Sequence, residues 1–230
     1  MKVKGIDFKE AAKEIERVVG FVKPGTLKPA QSDASKIEAL RRIWKESRPV
    51  IEGDEVWRYL AGRGLTPSPA LRMHPGLAYR EGAEAGTYPA MLALIAAPDG
   101  TGASIHRTYL LDGSKAPVSK AKKIMPGLPI TGGAVRLSSI ARHLGIAEGI
   151  ETALAASSRF SLPVWAAVSS GGMESWIPPA GVEAVTVFAD NDENFTGQKA
   201  AFVLAHRLAL AGIAVEVQIP PCRGKDWADA

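Results

Sequence analysis

The sequence predicts an α/β fold in which a parallel sheet flanked by helices occupies the C-terminal part of the chain. From about residue 136, short apolar runs typical of strands alternate with segments of helical periodicity. Strands that alternate with helices imply a parallel sheet with crossover connections. The hydrophobic content of 46% is enough for a substantial core. The expected strands are 143–148, 163–168, 184–189 and 214–219, and the expected helices are 150–158, 197–212 and a shorter one near 173–177.

The preceding residues are predicted to form an N-terminal helical segment over 1–70 and a small, basic, β-containing subdomain over 71–135, before an α/β domain over 136–230. Asp7 and Glu10 are expected to cap an amphipathic helix over residues 7–20. Further helices are expected around 34–47 and 54–62. Apolar runs on either side of Asp99-Gly100 predict a β-hairpin. The lysine-rich run over residues 114–127 is predicted to be an exposed loop.

The composition excludes several classes of protein. Cys222 is the one cysteine, so neither an intramolecular disulfide nor a cysteine-based zinc site is expected. The four histidines are scattered without metal-ligand spacing. No apolar run approaches the roughly 18 residues of a membrane helix, and the N-terminus lacks the apolar stretch of a signal peptide. We therefore expect a cytoplasmic protein with no membrane partner.

The charge distribution is asymmetric along the chain. Residues 1–135 carry an excess of basic side chains and residues 136–230 an excess of acidic ones, which together give a net charge of +4. A basic region joined to an acidic one fits a polyanion held beside a metal site. An ordinary solvated surface fits equally well, so charge alone does not decide between the two.

Acidic residues follow two of the expected strands. Glu148 follows the strand over 143–148 and precedes Gly149, while Asp190 and Asp192 follow the strand over 184–189. Residues two apart in extended chain point the same way, so both aspartates can face one cation. Ligands bind outside the carboxyl ends of the strands in open α/β sheets. Carboxylates at this edge indicate a hard cation such as Mg²⁺, and Asp226 is a weaker further candidate.

These motifs resemble those of the Toprim domain, which bacterial-type primases, topoisomerases and some nucleases share. The resemblance covers about residues 136–230 and rests on Glu148-Gly149 and on Asp190-Asn191-Asp192 with Gly197. The run EGIETALAA, the glycine turn over 169–172 and the closing GKDWAD are similar to the Toprim subgroup of phage- and plasmid-borne primases. The sequence departs from that subgroup because it shows neither a zinc ribbon nor a helicase domain.

The resemblance implies the roles of individual residues. Glu148, Asp190 and Asp192 would be catalytic and, with Asp226, would bind Mg²⁺ or Mn²⁺. Each basic residue has the plain alternative of a solvated surface charge, Gly149 that of a tight turn, and Lys199 that of a partner for Glu193. Glu151 is left open between a helix-dipole role and a functional one. The residues implied to contact nucleic acid or nucleotide are Arg107, Lys115, Lys120, Lys122, Lys123, Gly149 and Lys199.

The resemblance implies a metal-dependent nucleotidyl transferase of the primase type that synthesises primers on single-stranded DNA from nucleoside triphosphates. A helicase or a zinc-ribbon protein acting in trans is an expected partner. Two alternatives stay open: a Toprim-type nuclease using the same acids, and an inactive nucleic-acid- or protein-binding factor of a mobile element. A topoisomerase is disfavoured because none of the four tyrosines lies in an evident cleavage module.

Overall fold

The computed structural model describes residues 32–229, together with Glu10, Lys13 and Arg17, which are helical. The chain divides into two compact units, Met1–Ser32 and Asp33–Ala230, and the elements below belong to the second. The rest of the helix predicted over 7–20 lies outside the described residues. Within the described part, no helix combines the length and apolarity needed to cross a membrane.

The first half of the second unit is built around an antiparallel meander. Strands β2, β3 and β4 pair in sequence order, and the turn between β3 and β4 contains the predicted Asp99-Gly100, with Gly100 at φ +91°. Thr101 N–H donates to Asp99 Oδ1 at 2.8 Å, which fixes this turn. The elements are α1 (Asp33–Glu46), β1 (Arg48–Pro49), α2 (Glu55–Ala61), β2 (Leu71–Glu81), β3 (Glu84–Ala96), β4 (Gly102–Leu111), β5 (Ser114–Lys115), β6 (Lys122–Ile124) and β7 (Ala134–Val135).

Helix α2 confirms the helix predicted over 54–62. The Asp54 side chain accepts a hydrogen bond from Trp57 N–H at 2.9 Å, which satisfies one of the free amides of the first turn. Tyr59 and Leu60 are buried on the inner face of α2. The cap therefore fixes the start of a helix whose inner face reaches the candidate site.

The prediction of an exposed loop over residues 114–127 is wrong in part. Ser114–Lys115 and Lys122–Ile124 are strands β5 and β6, and both pair with β4. The loop was inferred from lysine-rich composition, whereas strand formation depends on the pairing of backbone groups with a neighbouring strand. Because successive side chains of a strand point to opposite faces, Lys122 and Lys123 have different surroundings.

The second half has the predicted alternation of strands and helices. Strands β9, β8, β10 and β11 lie side by side in that order and are parallel. All four predicted strands are confirmed, with ends that differ by a few residues. The predicted short helix begins earlier because Ser169 Oγ accepts from Gly172 N–H at 3.0 Å. The elements are β8 (His143–Ala147), α3 (Ile150–Phe160), β9 (Val164–Ala166), α4 (Ser170–Ser175), β10 (Ala184–Phe188), α5 (Thr196–Leu210) and β11 (Ala214–Gln218).

One sheet joins the two halves. Val135 of β7 pairs with Ile95 of β3 on one side and with Ala166 of β9 on the other, both antiparallel. The sheet is therefore continuous across residue 135. Helix α3 packs Ile150, Ala153 and Ala156 into a core with Phe188, while α5 packs against Val185 and Val187 in a second core. This arrangement is the predicted parallel-containing sheet flanked by helices.

Candidate metal centre

Three of the predicted acids line one small cavity at the carboxyl edge of the parallel strands. Ala147 at the end of β8 is in register with Phe188 at the end of β10, so Glu148 and Asp190 leave the sheet at the same edge. Asp226, near the end of the chain, lies at the same place. Glu148, Asp190 and Asp226 line a cavity of about 150 Å³, which we call the acidic cavity.

The loop after β10 is tied to the last residues of the chain, which explains how Asp226 reaches Asp190. Asn191 N–H donates to Lys225 C=O at 3.0 Å, and Gly224 N–H donates to Asn191 C=O at 2.7 Å. Asp226 Oδ1 accepts from Ala228 N–H at 2.7 Å, so the turn that carries Asp226 is itself fixed. These bonds join two segments that the sequence left unconnected.

The acids of this cavity repel one another. Burial raises the pKa of Asp190 to about 7, with further contributions from Glu148, Asp226 and Asp192, and Lys122 opposes the shift. Burial and the Asp192 charge likewise raise the pKa of Glu148. Asp190 Oδ1 is buried and has no hydrogen-bond partner. A buried acceptor without a donor, among other carboxylates, is the environment that a cation would compensate.

The arrangement suits a cation that keeps part of its own shell. Among the residues that the structure describes, no three acidic, histidine or cysteine side chains are gathered closely enough to hold a metal ion alone. Mg²⁺ usually retains several waters and binds proteins through one or two carboxylates plus substrate phosphates. The carboxylates of the acidic cavity fit that mode of binding better than they fit a closed cage.

Asp192 supports the site from beside it. It does not line the acidic cavity, and its Oδ2 accepts a hydrogen bond from Gly197 N–H at 2.8 Å. Gln198 Nε2 donates to Asp192 C=O at 3.0 Å and to Asn191 Oδ1 at 2.9 Å. Asp192 therefore anchors the loop that presents Asp190 to the start of α5, while its charge raises the pKa of both Asp190 and Glu148.

Two of the predicted basic residues line the acidic cavity. Lys122 Nζ lies 2.9 Å from Glu151 Oε2, and Lys115 belongs to the same lining, as does Gly149. The cavity thus presents ammonium groups beside carboxylates. That combination is suited to a metal ion and a phosphate bound together.

The remaining predicted basic residues lie outside the acidic cavity. Arg107 lies over the Tyr109 ring at 5.7 Å, and Lys123 and Lys120 each lie 2.6 Å from a carboxylate oxygen of Glu81. Lys199 lies 3.0 Å from Glu174, so it pairs with an acid of α4. Their contacts with nucleic acid stay a prediction.

Sequence reasoning left Glu151 undecided and missed the residues around it. Glu151 is 2% exposed and accepts a hydrogen bond from Tyr59 Oη at 2.6 Å in addition to its ion pair with Lys122. Burial by itself would raise the pKa of Glu151, yet Lys122 and Tyr59 hold that pKa at about 2. Arg63 and His106 also line the acidic cavity. Tyr59 lies 92 residues from Glu151, and no local pattern signals such a contact.

His106 is uncharged at neutral pH. Burial, followed by the charge of Lys122, lowers the pKa of His106 to about 4. Its Nδ1 is buried without a hydrogen-bond partner. The residue therefore adds a polar wall to the acidic cavity and no positive charge.

The backbone beside Glu148 is strained. Val168 has φ +62°, a left-handed conformation that is unusual for a β-branched residue and costs about 1–3 kcal/mol. Val168 N–H donates to Glu148 C=O at 2.8 Å, and Val168 lines the acidic cavity. Such strain concentrates at functional sites.

A pH dependence follows from the raised pKa of Asp190. The folded state holds this proton more tightly than the unfolded chain, so the free energy of unfolding should fall as pH rises from about 4 to about 7 in metal-free protein. An Asp190→Asn variant lacks this contribution. Urea titrations in EDTA between pH 4.5 and 8 should show the variant gaining stability over the wild type as pH rises. A difference independent of pH would contradict the assignment.

Gly197 is expected to be intolerant of a side chain. A Cβ atom there would lie 2.8 Å from Asp190 C=O and 3.1 Å from Asp192 Oδ2. Overpacking of this kind costs about 1–3 kcal/mol, so Gly197→Ala should lower the urea midpoint accordingly. Gly171→Ala is the matched control, since a Cβ at Gly171 meets no atom within 4 Å. Equal stability losses in the two variants would show that the loop tolerates the methyl group.

Comparisons with known families and structures agree with this geometry. Residues 143–230 match the Toprim domain family, and residues 34–137 match a domain of unknown function, DUF7146. A comparison with proteins of curated function gave no match. Residues 143–230 therefore form a Toprim domain, and the chain is a Toprim protein with the fold of a primase catalytic core.

Three solved structures illustrate the shared fold. The primase fragment of the bacteriophage T7 primase-helicase protein has 15% identity and a TM-score of 0.51, over 95% of this chain and 80% of that one. The Aquifex aeolicus primase, with zinc-binding and RNA polymerase domains, has 17% identity and a TM-score of 0.54, over 96% of this chain but only 62% of its own. The DnaG primase catalytic domain bound to ssDNA has 12% identity and a TM-score of 0.55, over 85% and 74%.

Proposed function

We propose that this protein is a metal-dependent nucleotidyl transferase of the primase type, which synthesises primers on single-stranded DNA from nucleoside triphosphates. The observation that carries the proposal is the acidic cavity. Asp190 shares it with Glu148 and Asp226, its Oδ1 has no partner, and Lys115 and Lys122 line the same space. Carboxylates for a cation and ammonium groups for phosphates are thereby combined in one site.

Asp190, Asp192 and Asp226 are the proposed ligands of Mg²⁺ or Mn²⁺, with Glu148 either completing the set or acting as general base. The ion, when bound, would neutralise charge on the reacting phosphate and make an attacking hydroxyl more acidic. The partnerless Oδ1 of Asp190 is the atom that most favours this assignment. Asp192 contributes through the loop that it anchors at Gly197.

The remaining steps fall to the side chains of the cavity. Lys115 and Lys122 hold the phosphates of the incoming nucleotide. The 3′-hydroxyl oxygen of the primer bonds to the α-phosphorus, the bond from that phosphorus to the bridging oxygen breaks, and pyrophosphate leaves. The hydroxyl proton passes to a carboxylate oxygen of Glu148, whose raised pKa favours proton acceptance closer to neutral pH.

The template is proposed to follow the basic edge formed by β4 and β6. Arg107 is opposite Lys123 in the β4–β6 register, and Lys120 lies nearby in the chain. The shared fold with the DnaG domain bound to ssDNA supports this class of ligand. Gly149, which lines the acidic cavity, would let a phosphate approach the backbone. Lys199 on α5 is a more remote candidate contact, and a helicase or zinc-ribbon partner in trans belongs to the same proposal.

Primer synthesis tests the proposal directly. Purified protein should extend labelled nucleoside triphosphates into short oligomers on circular single-stranded DNA, and only when Mg²⁺ or Mn²⁺ is present. The assay should be run alone and with a helicase or zinc-ribbon protein added. Glu183→Gln, which removes an exposed acid remote from the site, is the control and should retain full activity.

Two other outcomes would replace the proposal. Metal-dependent shortening of end-labelled DNA without synthesis would assign the same acids to a nuclease. Binding of single-stranded DNA without turnover of DNA or nucleotides, unchanged in Asp190→Asn, would assign the chain to the binding class.

A further inference from the structure

A second cavity, larger than the acidic one, lies along the C-terminal half of α3. Its volume is about 610 Å³, within the range of roughly 300–1,000 Å³ that is usual for small-molecule sites. Its walls come from α3, from the segment after α2, and from the last residues of the chain. We call it the α3 cavity. Leu65, Leu154 and Val164 supply apolar wall, and Arg63 lines both this cavity and the acidic one.

The uncommitted polar groups of the α3 cavity are hydrogen-bond donors. Trp227 is 6% exposed, and its Nε1–H is buried without a partner. Ser138 Oγ is likewise buried and unpartnered. Arg159 lies over the Trp227 ring at 5.3 Å and forms no ion pair with any described acid. By contrast, Arg63 is already paired with Asp229 at 3.0 Å.

The lining contains no carboxylate. Besides Arg63 and Arg159, its polar members carry hydroxyl groups, among them Thr66, Ser68 and Ser158. Unpaired buried donors are costly and are usually satisfied by a ligand or an ordered water. A site of unpaired donors, with a free guanidinium and no acid, selects an anion rich in oxygen acceptors.

We propose that the α3 cavity binds a nucleoside phosphate at a site separate from the acidic cavity. The phosphate oxygens accept hydrogen bonds from Arg159 and from the free donors of Ser138 and Trp227. The base and sugar lie against the apolar wall of Leu65, Leu154 and Val164. The cavity volume accommodates this whole ligand, whereas inorganic phosphate would leave the apolar wall unused.

Calorimetric titration of the full chain with ADP in the presence of EDTA tests the proposal. EDTA removes divalent metal, so the proposed catalytic chemistry does not contribute. ADP should bind to the wild type, and inorganic phosphate should bind more weakly. Asp190→Asn should bind ADP as the wild type does, which separates this inference from the proposed function. Failure of primer synthesis with intact ADP binding would leave the inference standing.

Variants locate the binding. Arg159→Gln should weaken ADP binding by about tenfold or more, since it removes a charged hydrogen-bond donor. Trp227→Phe keeps an aromatic ring and removes the indole N–H, so a loss of about two- to tenfold is expected. Arg142→Gln is the matched control: this exposed arginine pairs with Glu183 and does not line the cavity, so affinity should not change.

Three results would overturn the proposal. They are the absence of ADP binding in EDTA, affinities that are the same in Arg159→Gln and Arg142→Gln, and inorganic phosphate binding as tightly as ADP. Because Arg159 is exposed, its replacement is not expected to disturb folding, and circular dichroism of each variant checks this.

Discussion

Asp190→Asn is expected to reduce metal-dependent primer synthesis by about 100-fold or more while making the metal-free protein more stable. The loss follows from removing a charged ligand that contributes several kcal/mol of transition-state stabilisation when a metal is bound. The gain follows from the repulsion that Asp190 experiences, which raises its pKa to about 7. Asparagine keeps the size of the side chain and removes the charge.

The opposite signs make this prediction sharp. Urea denaturation at pH 8 in EDTA should show a gain of about 0.5–2 kcal/mol in the free energy of unfolding, typical of a relieved functional site. Added Mn²⁺ should stabilise the wild type and not the variant, because a ligand that binds only the folded state shifts its stability. Retained primer synthesis, or a variant less stable than the wild type in EDTA, would contradict the assignment of Asp190.

Lys122→Met is expected to destabilise the protein by about 3–5 kcal/mol, because it leaves the buried Glu151 carboxylate without its cation. The Glu151 side chain is 3% exposed and its pKa is held at about 2. A depressed pKa means that this stabilisation is present at neutral pH and is lost as pH falls toward about 2. The penalty should therefore be largest near pH 7.

A double-mutant cycle isolates the pair. Replacing both partners, in Lys122→Met with Glu151→Met, removes the unpaired charge and should recover much of the stability that the single change loses. Arg142→Met, which breaks the exposed pair with Glu183, should cost less than about 1 kcal/mol. Thermal unfolding at neutral pH measures all four proteins. Additive losses in the cycle would mean that Lys122 and Glu151 do not act as a pair.

Much of the site could be predicted because it lies at strand ends. Glu148 and Asp190 each follow an apolar run, and parallel strands place their carboxyl ends at one edge of a sheet. Both strands formed as predicted, in register at Ala147 and Phe188, and the two carboxylates share a cavity. Local pattern and a general property of parallel sheets were sufficient for this part.

The lysines show where that reasoning stopped. Lys120, Lys122 and Lys123 look equivalent in a run assigned to a loop, yet only Lys122 of the three lines the acidic cavity. The difference arises because β6 pairs with β4, so that neighbouring side chains leave the strand on opposite faces. Backbone pairing with a strand formed by residues 102–111 is not encoded in the composition of the run itself.

The sequence by itself determined the alternation of strands and helices, the edge at which the acids lie and the resemblance to Toprim proteins, because these depend on periodicity and local order. The tertiary structure alone decided that Tyr59 and Lys122 enclose Glu151, that Asp226 joins Asp190, and that α3 borders a second cavity with unpaired donors. Those features join segments far apart in the chain, and their positions follow from the packing of the whole fold.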